Sequence, residues 1–492
     1  MKRISIEWMS YGAISCGLMI PAVLSAAGET TSGSDCRNPR NADGNPNIIW
    51  IMTDQQWAGA MSCAGNGNLK TPAMDRIAAH GVRFVNAYSA MPLSGPCRSS
   101  MVTGYMPSRT GMIENEMPLR DSLKTSTIGT LVEACGYDCI YAGKWHVNTI
   151  SLPSDYAFGF HKIKDNGDRG LAEACVEWLQ QRESSRNSAK PFFMVASYTN
   201  PHNICEFARG QKTPHADIVL SSGDDRPQLP ANFDVASNDA KVLQFEKRQN
   251  YSLYPSMDYD DDDWRTYIDA YYRLVEAVDT EIGKIVDELD RQNLWENSVI
   301  IFTSDHGDGV GAHHWNQKTV LYEEVSNVPM IVCLPGGSHA GEVTERIVNN
   351  GPDLFATICD WAGVANLPER DGKSFRKDAE YGSYAYASCD SPSGGSDGIE
   401  TDYTVCETNF LQTGGTFGWM VRTPFYKYVI YDKGKYREQL YDMRNDRLEM
   451  NNLAVDPAYA SILREHREIL RSWLLRQPAP DKARRLKISA AE

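Results

Sequence analysis

Beyond residue 24 the chain has no apolar run approaching the ~20 residues that a membrane-spanning helix needs. Basic charge is scarce too. The sequence carries 49 Lys and Arg against 64 Asp and Glu, a formal net charge of −15. Nucleic-acid binders show a basic footprint, so nucleic acid is not expected as a partner. Anionic small ligands stay open, because a few cations gathered in one pocket outweigh bulk charge locally. Twelve cysteines in 492 residues, one of them Cys16 near the start, are too scattered for a dense disulfide framework. Cys333 and Cys359 sit within apolar runs, as small buried hydrophobes do. One or two bridges remain open, without a pairing. Internal repeats are absent. The acidic run Asp258–Asp263 lacks the spacing and glycine of an EF-hand and reads as a solvated loop.

What is present begins with a leader. Lys2 and Arg3, the apolar run Tyr11–Leu24 and the small residues Ser25, Ala26 and Ala27 have the layout of a secretory signal peptide over 1–27. A polar linker over 28–44 follows, and no stable membrane insertion is expected once the leader is removed. Short apolar, β-branched runs then alternate with helical patterns. Asn47–Met52, Gly81–Tyr88, Cys139–Ala142, Pro191–Tyr198 and Ser298–Thr303 read as buried strands. Thr71–Ala79, Thr127–Ala134, Glu173–Gln181 and above all Trp264–Leu294 read as helices, the last with one apolar stripe. This alternation predicts an α/β fold, a large and mostly parallel sheet sandwiched by helices, over 45–372. The polar stretch 207–263 reads as an excursion outside the core. Over 373–492 a Gly/Ser segment at Ser391–Gly398, short strands of antiparallel type and a closing helix at Ala458–Leu474 predict a smaller α+β subdomain.

Chemistry gathers where the predicted strands end. Asp54 and Gln55 follow the first strand, where ligands of open α/β sheets bind; Asp54 would serve equally well as a helix N-cap. Ser94-Gly95-Pro96-Cys97-Arg98 puts a fixed charge close to a nucleophile-sized hydroxyl, and Ser99–Thr103 opens a helix whose amides favour an anion. Lys144 and His146, then His202, then Asp305 and His306 end further strands, and Lys318 follows. Two carboxylates with an amide oxygen are hard ligands suited to Ca2+ or Mg2+. Arg98, Lys144 and Lys318 would stabilise developing negative charge. His146 and His202 are candidates for hydrogen bonding and for proton transfer to a leaving group.

The order of these motifs resembles the type I sulfatases of the alkaline-phosphatase-like superfamily, over roughly residues 45–455. Asn47–Asp54, Ser94–Gly104, Gly143-Lys144-Trp145-His146, Pro201-His202, Ser304-Asp305-His306-Gly307, Lys318 with Leu321-Tyr322-Glu323, and Leu440-Tyr441-Asp442 with Glu449, Asn451, Asn452 and Leu453 carry the resemblance. It implies that Ser94 is oxidised to formylglycine (3-oxoalanine) by a serine-type radical maturase in a bacterium. The hydrated aldehyde attacks sulfur through one hydroxyl and expels sulfate through the other. By the same carry-over Asp54, Gln55, Asp305, His306 and Ser94 hold a divalent cation, Ca2+ with Mg2+ as the alternative. Arg98, Lys144, His146, His202 and Lys318 surround the formylglycine and the sulfate, and His313, His314 and Trp315 fall where substrate-recognising residues are expected. The implied function is removal of sulfate from carbohydrate by an exported enzyme, periplasmic or at the cell surface. A sulfated saccharide is the expected partner, with the 207–263 excursion and the C-terminal unit walling the pocket.

Three positions depart from the commoner pattern. Gln55 replaces a second Asp, His306 replaces Asn, and Cys97 stands where Ser or Ala is usual. The first two also occur in phosphonate and phosphodiester hydrolases of the superfamily, which form the alternative reading. An inactive glycan-binding homologue is a second alternative, which the presence of Arg98, Lys144 and both Asp ligands opposes.

Overall fold

Asn47–Asp54 forms β1, buried along nearly its whole length and paired in parallel on both sides. The other strands are β2 (Gly81–Tyr88), β3 (Asp138–Gly143), β4 (Tyr156–Ala157), β5 (Phe160–Lys164), β6 (Phe192–Pro201), β7 (Ser298–Ser304), β8 (Met330–Cys333) and β9 (Val343–Asn349). They make one nine-stranded sheet in the order β4-β5-β3-β6-β1-β7-β8-β2-β9. Pairing is parallel except at β4–β5 and on both sides of β8. The computed structural model describes residues 44–185, 190–381, 402–411 and 414–477. The expected leader at 1–27, the linker up to residue 43 and the Gly/Ser segment Ser391–Gly398 lie outside the described residues.

The alternation of β1 explains the layering. Ile49 and Ile51 face a core completed by the helices Pro72–His80, Leu171–Glu183 and Asp261–Arg291. Ile48, Trp50 and Met52 face the opposite core, against the helices Ser94–Thr103, Ile128–Ala134 and Pro352–Ala362. A strand buried on both faces must be apolar there, and this one is so over its central run Ile48–Met52. The sheet is therefore sandwiched by helices, as the strand–helix alternation implies.

A second, antiparallel sheet comprises β10 (Thr404–Asn409), β11 (Phe417–Arg422), β12 (Tyr426–Tyr431) and β13 (Glu438–Asp442), paired in sequence order. One face packs Trp419, Val421 and Leu440 against Leu463, Leu470 and Trp473 of the closing helix Ala460–Arg476. The other packs Met420 and Val429 against Leu321, Tyr322 and Val325. β10 reaches the main body through Glu407 N–H, which donates to the Ala90 carbonyl at 2.9 Å.

Three local expectations change. The helix read from Ser99 starts at Ser94, since Pro96 fits the first turn, where no N–H partner is required. The acidic run is the start of the long helix rather than a loop. The Asp260 carboxylate accepts from the N–H groups of Asp262 and Asp263, and the Asp263 carboxylate accepts from Asp260 N–H, a capping box. The 207–263 excursion holds a helix, Lys241–Leu253, which buries Val242 and Leu243 but also the polar Glu246 and Asn250.

Glu407 offers a stability test remote from the site. Burial pushes its carboxyl up to about 7, offset only in part by its bonds from Ser108. An unfolded Glu titrates near ~4.3, so the native state holds the proton longer. Its contribution is fully present below that value and is lost as pH rises through about 7. Glu407→Gln should therefore lose less stability between pH 5 and 8 than the parent, a difference on the order of a few °C in thermal midpoint. Parallel pH profiles of the two proteins would contradict this.

Candidate active site

The register of the central strands brings distant chemistry together. Asp54 aligns with Pro201, Thr53 with Ser304, and Gly143 with Ser197. The carboxyl ends of β1, β3, β6 and β7 thus present Asp54, Lys144, His202 and Asp305 at one end of the sheet, and the Ser94 helix begins there. Close approach at β3 requires glycine. Gly143 has φ +95°, and a Cβ there would lie 2.0 Å from the Ser197 carbonyl oxygen. Gln55 (φ 68°) and His146 (φ 54°) are non-glycine residues in the left-handed region, a local strain typical of functional sites.

Arg98 ties the centre together. Its Nε donates to Asp305 Oδ2 at 2.8 Å, its Nη2 to Asp54 Oδ2 at 3.0 Å, and its Nη1 to the Lys144 carbonyl and Ser197 Oγ at 2.7 and 2.8 Å. Lys144 Nζ lies 2.7 Å from Asp54 Oδ2. Ser94 Oγ lies 3.3 and 3.2 Å from the two Asp54 oxygens and 3.1 Å from His306 Nε2. His306 Nδ1 meets the Gly307 carbonyl at 2.9 Å, which assigns the proton to Nδ1 and leaves a lone pair on Nε2 facing Ser94.

Around this core runs an amide network. Gln55 Nε2 donates to Asp308 Oδ2 (2.8 Å) and Gln317 Oε1 (3.1 Å), and Gln55 Oε1 accepts from Lys318 Nζ (2.8 Å). Tyr267 OH donates to Asp308, and the Cys205 thiol to Gln317 Oε1 at 2.7 Å. A pocket of about 310 Å³ opens above, with Lys144, His146, His202 and Lys318 among its walls. Asn250 and Tyr254 from the 207–263 stretch, and Asn409 and Phe410 at the end of β10, complete it. Both elements expected to wall the pocket do so.

The charges are mutually set. Burial alone would raise the Asp54 carboxyl, but Lys144, His202, Arg98 and Lys318 outweigh it and hold it well below the usual carboxylate range. Burial works against the Arg98 charge, and Asp305 and Asp54 more than restore it. Burial lowers Lys144, with Asp54 opposing. Burial, reinforced by Lys144, pushes His146 down to about 2. His202 is likewise held well below its ordinary value by burial, Lys144 and Lys318. Both imidazoles are therefore neutral in the resting site. Among the described residues the buried His146 Nδ1 has no hydrogen-bond partner, which suits it to a polar group bound beside it.

Asp54, Asp305 and His306 each offer a ligand atom, and these atoms lie within 4.8 Å of one another. Two carboxylates beside a hydroxyl, with Asp54 held ionised by its cationic neighbours, fit a hard divalent cation. A second cluster of this kind, His313, Glu324 and Glu449, is engaged in part by protein donors, although among the described residues His313 Nδ1 and Glu324 Oε2 have no hydrogen-bond partner. Asn232 Nδ2 reaches His313 Nε2 (3.4 Å) and Glu324 Oε1 (2.9 Å), while Lys427 Nζ and Glu323 N–H take the two Glu449 oxygens.

His313, His314 and Trp315 are placed elsewhere than the pocket wall. His313 is buried and stacked on Tyr322, with ring centroids 4.1 Å apart. His314 packs on Phe233 at 3.8 Å, and the buried Trp315 donates its Nε1–H to the Lys318 carbonyl at 3.2 Å. They brace the segment that carries Lys318. Sequence reasoning missed Ser197, Cys205, Asp308 and Gln317. Only Asp308, three residues after Asp305 and next to glycines, carries a signal that could have been read.

The sulfatase family model matches residues 46–364. Two Bacteroides thetaiotaomicron proteins are similar along most of their length. A Delta 4,5-hexuronate-2-O-sulfatase is 30% identical over 477 residues, 92% of this chain and 94% of its own. An N-acetylglucosamine-6-O-sulfatase is 26% identical over 548 residues, 94% and 92% of the two chains. Among solved structures, a 2-O glycosaminoglycan sulfatase superposes with a TM-score of 0.75 at 28% identity, covering 91% of this chain and 95% of its own. With the strand-end constellation built around Ser94, Arg98 and Asp305, these matches place the chain in the sulfatase family of sulfuric ester hydrolases.

Proposed function

We propose that this protein is an exported carbohydrate sulfatase that hydrolyses sulfate esters of saccharides through a formylglycine made from Ser94, with a bound divalent cation, Ca2+ or Mg2+. The observation that carries the reading is the placement of Ser94 Oγ between Asp54 and His306, beneath a pocket walled by Lys144, His146, His202 and Lys318. Asp54, Asp305, His306 and the Ser94 oxygen would hold the cation. Gln55, whose amide oxygen meets Lys318 Nζ and the Cys205 thiol, would join them by exchanging one of these partners for the cation. The oxidised, hydrated side chain supplies a nucleophile whose second hydroxyl releases the sulfate, which an unmodified serine lacks.

The chain's own residues do the rest. Lys144 and Lys318 attract and orient the ester's anionic oxygens. His146 offers an unpaired nitrogen beside the nucleophile. His202, neutral at rest, gains proton affinity as the bound anion offsets the two lysines, which suits it to the leaving oxygen. The relatives named above act on sulfated saccharides, and the polar pocket walls suit such a substrate. A leader over 1–27, a catalytic unit over 45–372 and a smaller unit over 373–492 complete the reading, with a serine-type maturase as the partner that installs the aldehyde.

The decisive experiment compares the intact mass of the Ser94 peptide, from protein made with and without a serine-type maturase, with sulfate release from sulfated saccharides. Expected is a loss of ~2 Da, the mass of the two hydrogens removed in oxidising the alcohol, accompanied by activity. Sulfate release with no mass change would overturn the mechanism.

A further inference from the structure

The pocket has one cation that the sulfate chemistry does not use. Arg209 lines it directly after the short helix Ile204–Ala208, which begins two residues beyond His202. Its guanidinium lies 4.5 Å from the centre of the Tyr254 ring, and its Nε donates to the Leu253 carbonyl at 3.4 Å. Glu206 reaches only to 4.0 Å from Nη1. Among the described residues no hydrogen bond engages Nη1 or Nη2. The side chain is thus pinned by its stem and ring contact, while its terminal fork stays available. Such a fork matches the two oxygens of a carboxylate.

The placement separates this charge from the sulfate end. Lys144 is engaged with Asp54 and Lys318 with Gln55 at the pocket floor. Arg209 follows His202 by seven residues, beyond the five-residue helix, whose backbone rise alone is roughly 7–8 Å at ~1.5 Å per residue. Of the wall amides, Asn250 donates to Asn316 and Asn409 to the Ile113 carbonyl, while Asn115 uses its oxygen to accept from Gly95 N–H and keeps its NH2 for a ring hydroxyl. Among the described residues Glu114 is the one carboxylate in the wall and its buried Oε1 has no partner; burial raises its carboxyl, which softens its repulsion of an anionic ring.

We propose that Arg209 is a specificity-determining residue that binds a carboxylate on the sulfated ring, so that this pocket selects sulfated uronates over sulfated neutral or amino sugars. The proposal rests on the sulfatase reading of the same pocket. A carboxylate is also the group that distinguishes the hexuronate from the N-acetylglucosamine named for the two relatives.

The test uses the matured full-length enzyme with three substrates: a hexuronate 2-O-sulfate, its carboxyl-reduced hexose 2-O-sulfate, and an aryl sulfate as a yardstick. The parent should prefer the uronate. Arg209→Ala should raise KM for the uronate about 10- to 100-fold, the size of a lost charge-assisted contact. Its kcat on the uronate, its thermal midpoint and its kinetics on the other two substrates should stay close to the parent's. Arg209→Lys should recover part of the loss. Equal handling of the two sugars by the parent, or an equal loss on both in Arg209→Ala, overturns the proposal while aryl sulfate turnover leaves the sulfatase reading standing. Absence of turnover on all three overturns both.

Discussion

Replacing Ser94 by alanine should leave a folded protein with sulfatase turnover reduced by about 10⁴-fold or more, the scale seen when a covalent nucleophile is removed. The fold should survive because Ser94 Oγ is a minor partner. Arg98 and Lys144 still pair the Asp54 carboxylate, and Gly307 still orients His306. Thermal midpoint should move by no more than a few °C, while sulfate release from the parent's best substrate disappears. A variant that keeps a tenth of the parent's activity would falsify the assignment of Ser94, whatever its mass spectrum shows.

Asp305→Asn is expected to harm both stability and cation binding. Asp305 Oδ1 accepts from the backbone N–H groups of Gln55 and His306, and Oδ2 accepts from Arg98 Nε. An asparagine has one acceptor oxygen, so its amide NH2 must face either the backbone donors or the guanidinium. Either choice leaves a buried charge or donor unpaired, with a cost of about 3–5 kcal/mol for a broken buried pair. Denaturant midpoints with and without Ca2+ read both effects. The parent should be stabilised by the cation, and the variant should be less stable and gain little from it. A variant matching the parent in both conditions would remove Asp305 from the proposed cation set.

The central strands were legible because a run buried on both faces has to be apolar, and Ile48–Met52 and Val299–Phe302 meet that condition without exception. Their carboxyl ends lead to Asp54 and Asp305, and the runs Cys139–Ala142 and Pro191–Tyr198 lead in the same way to Lys144 and His202. Other features obeyed rules that compete in sequence. A run of aspartates reads as solvated, yet at a helix start it satisfies backbone donors, as Asp260 does. Val343–Asn349 forms β9 although Glu345 and Arg346 interrupt its apolar pattern. The Lys241–Leu253 helix was hidden because it buries Glu246 and Asn250, polar groups whose bonds to Thr416 and Asn316 only folding reveals. His313 and Trp315 look like ligand readers from their position, and nothing local distinguishes that role from stacking on Tyr322 or bracing Lys318.

Ser94 has no solvent-accessible surface, and the pocket wall includes its neighbour Leu93 but not Ser94 itself. A second enzyme must surround the side chain it oxidises with its own catalytic groups, whereas a bound ester needs to bring only one small group up to it from the pocket. If Ser94 is oxidised as proposed, the oxidation is expected early in the life of the polypeptide, before β1 and β7 close over it. Were the chain also exported as proposed, side-chain conversion would come first, passage across the membrane in an extended form second, and folding last. A molecule that folds too soon would be permanently unripe, with every partner of the reaction in place and an ordinary serine at its centre.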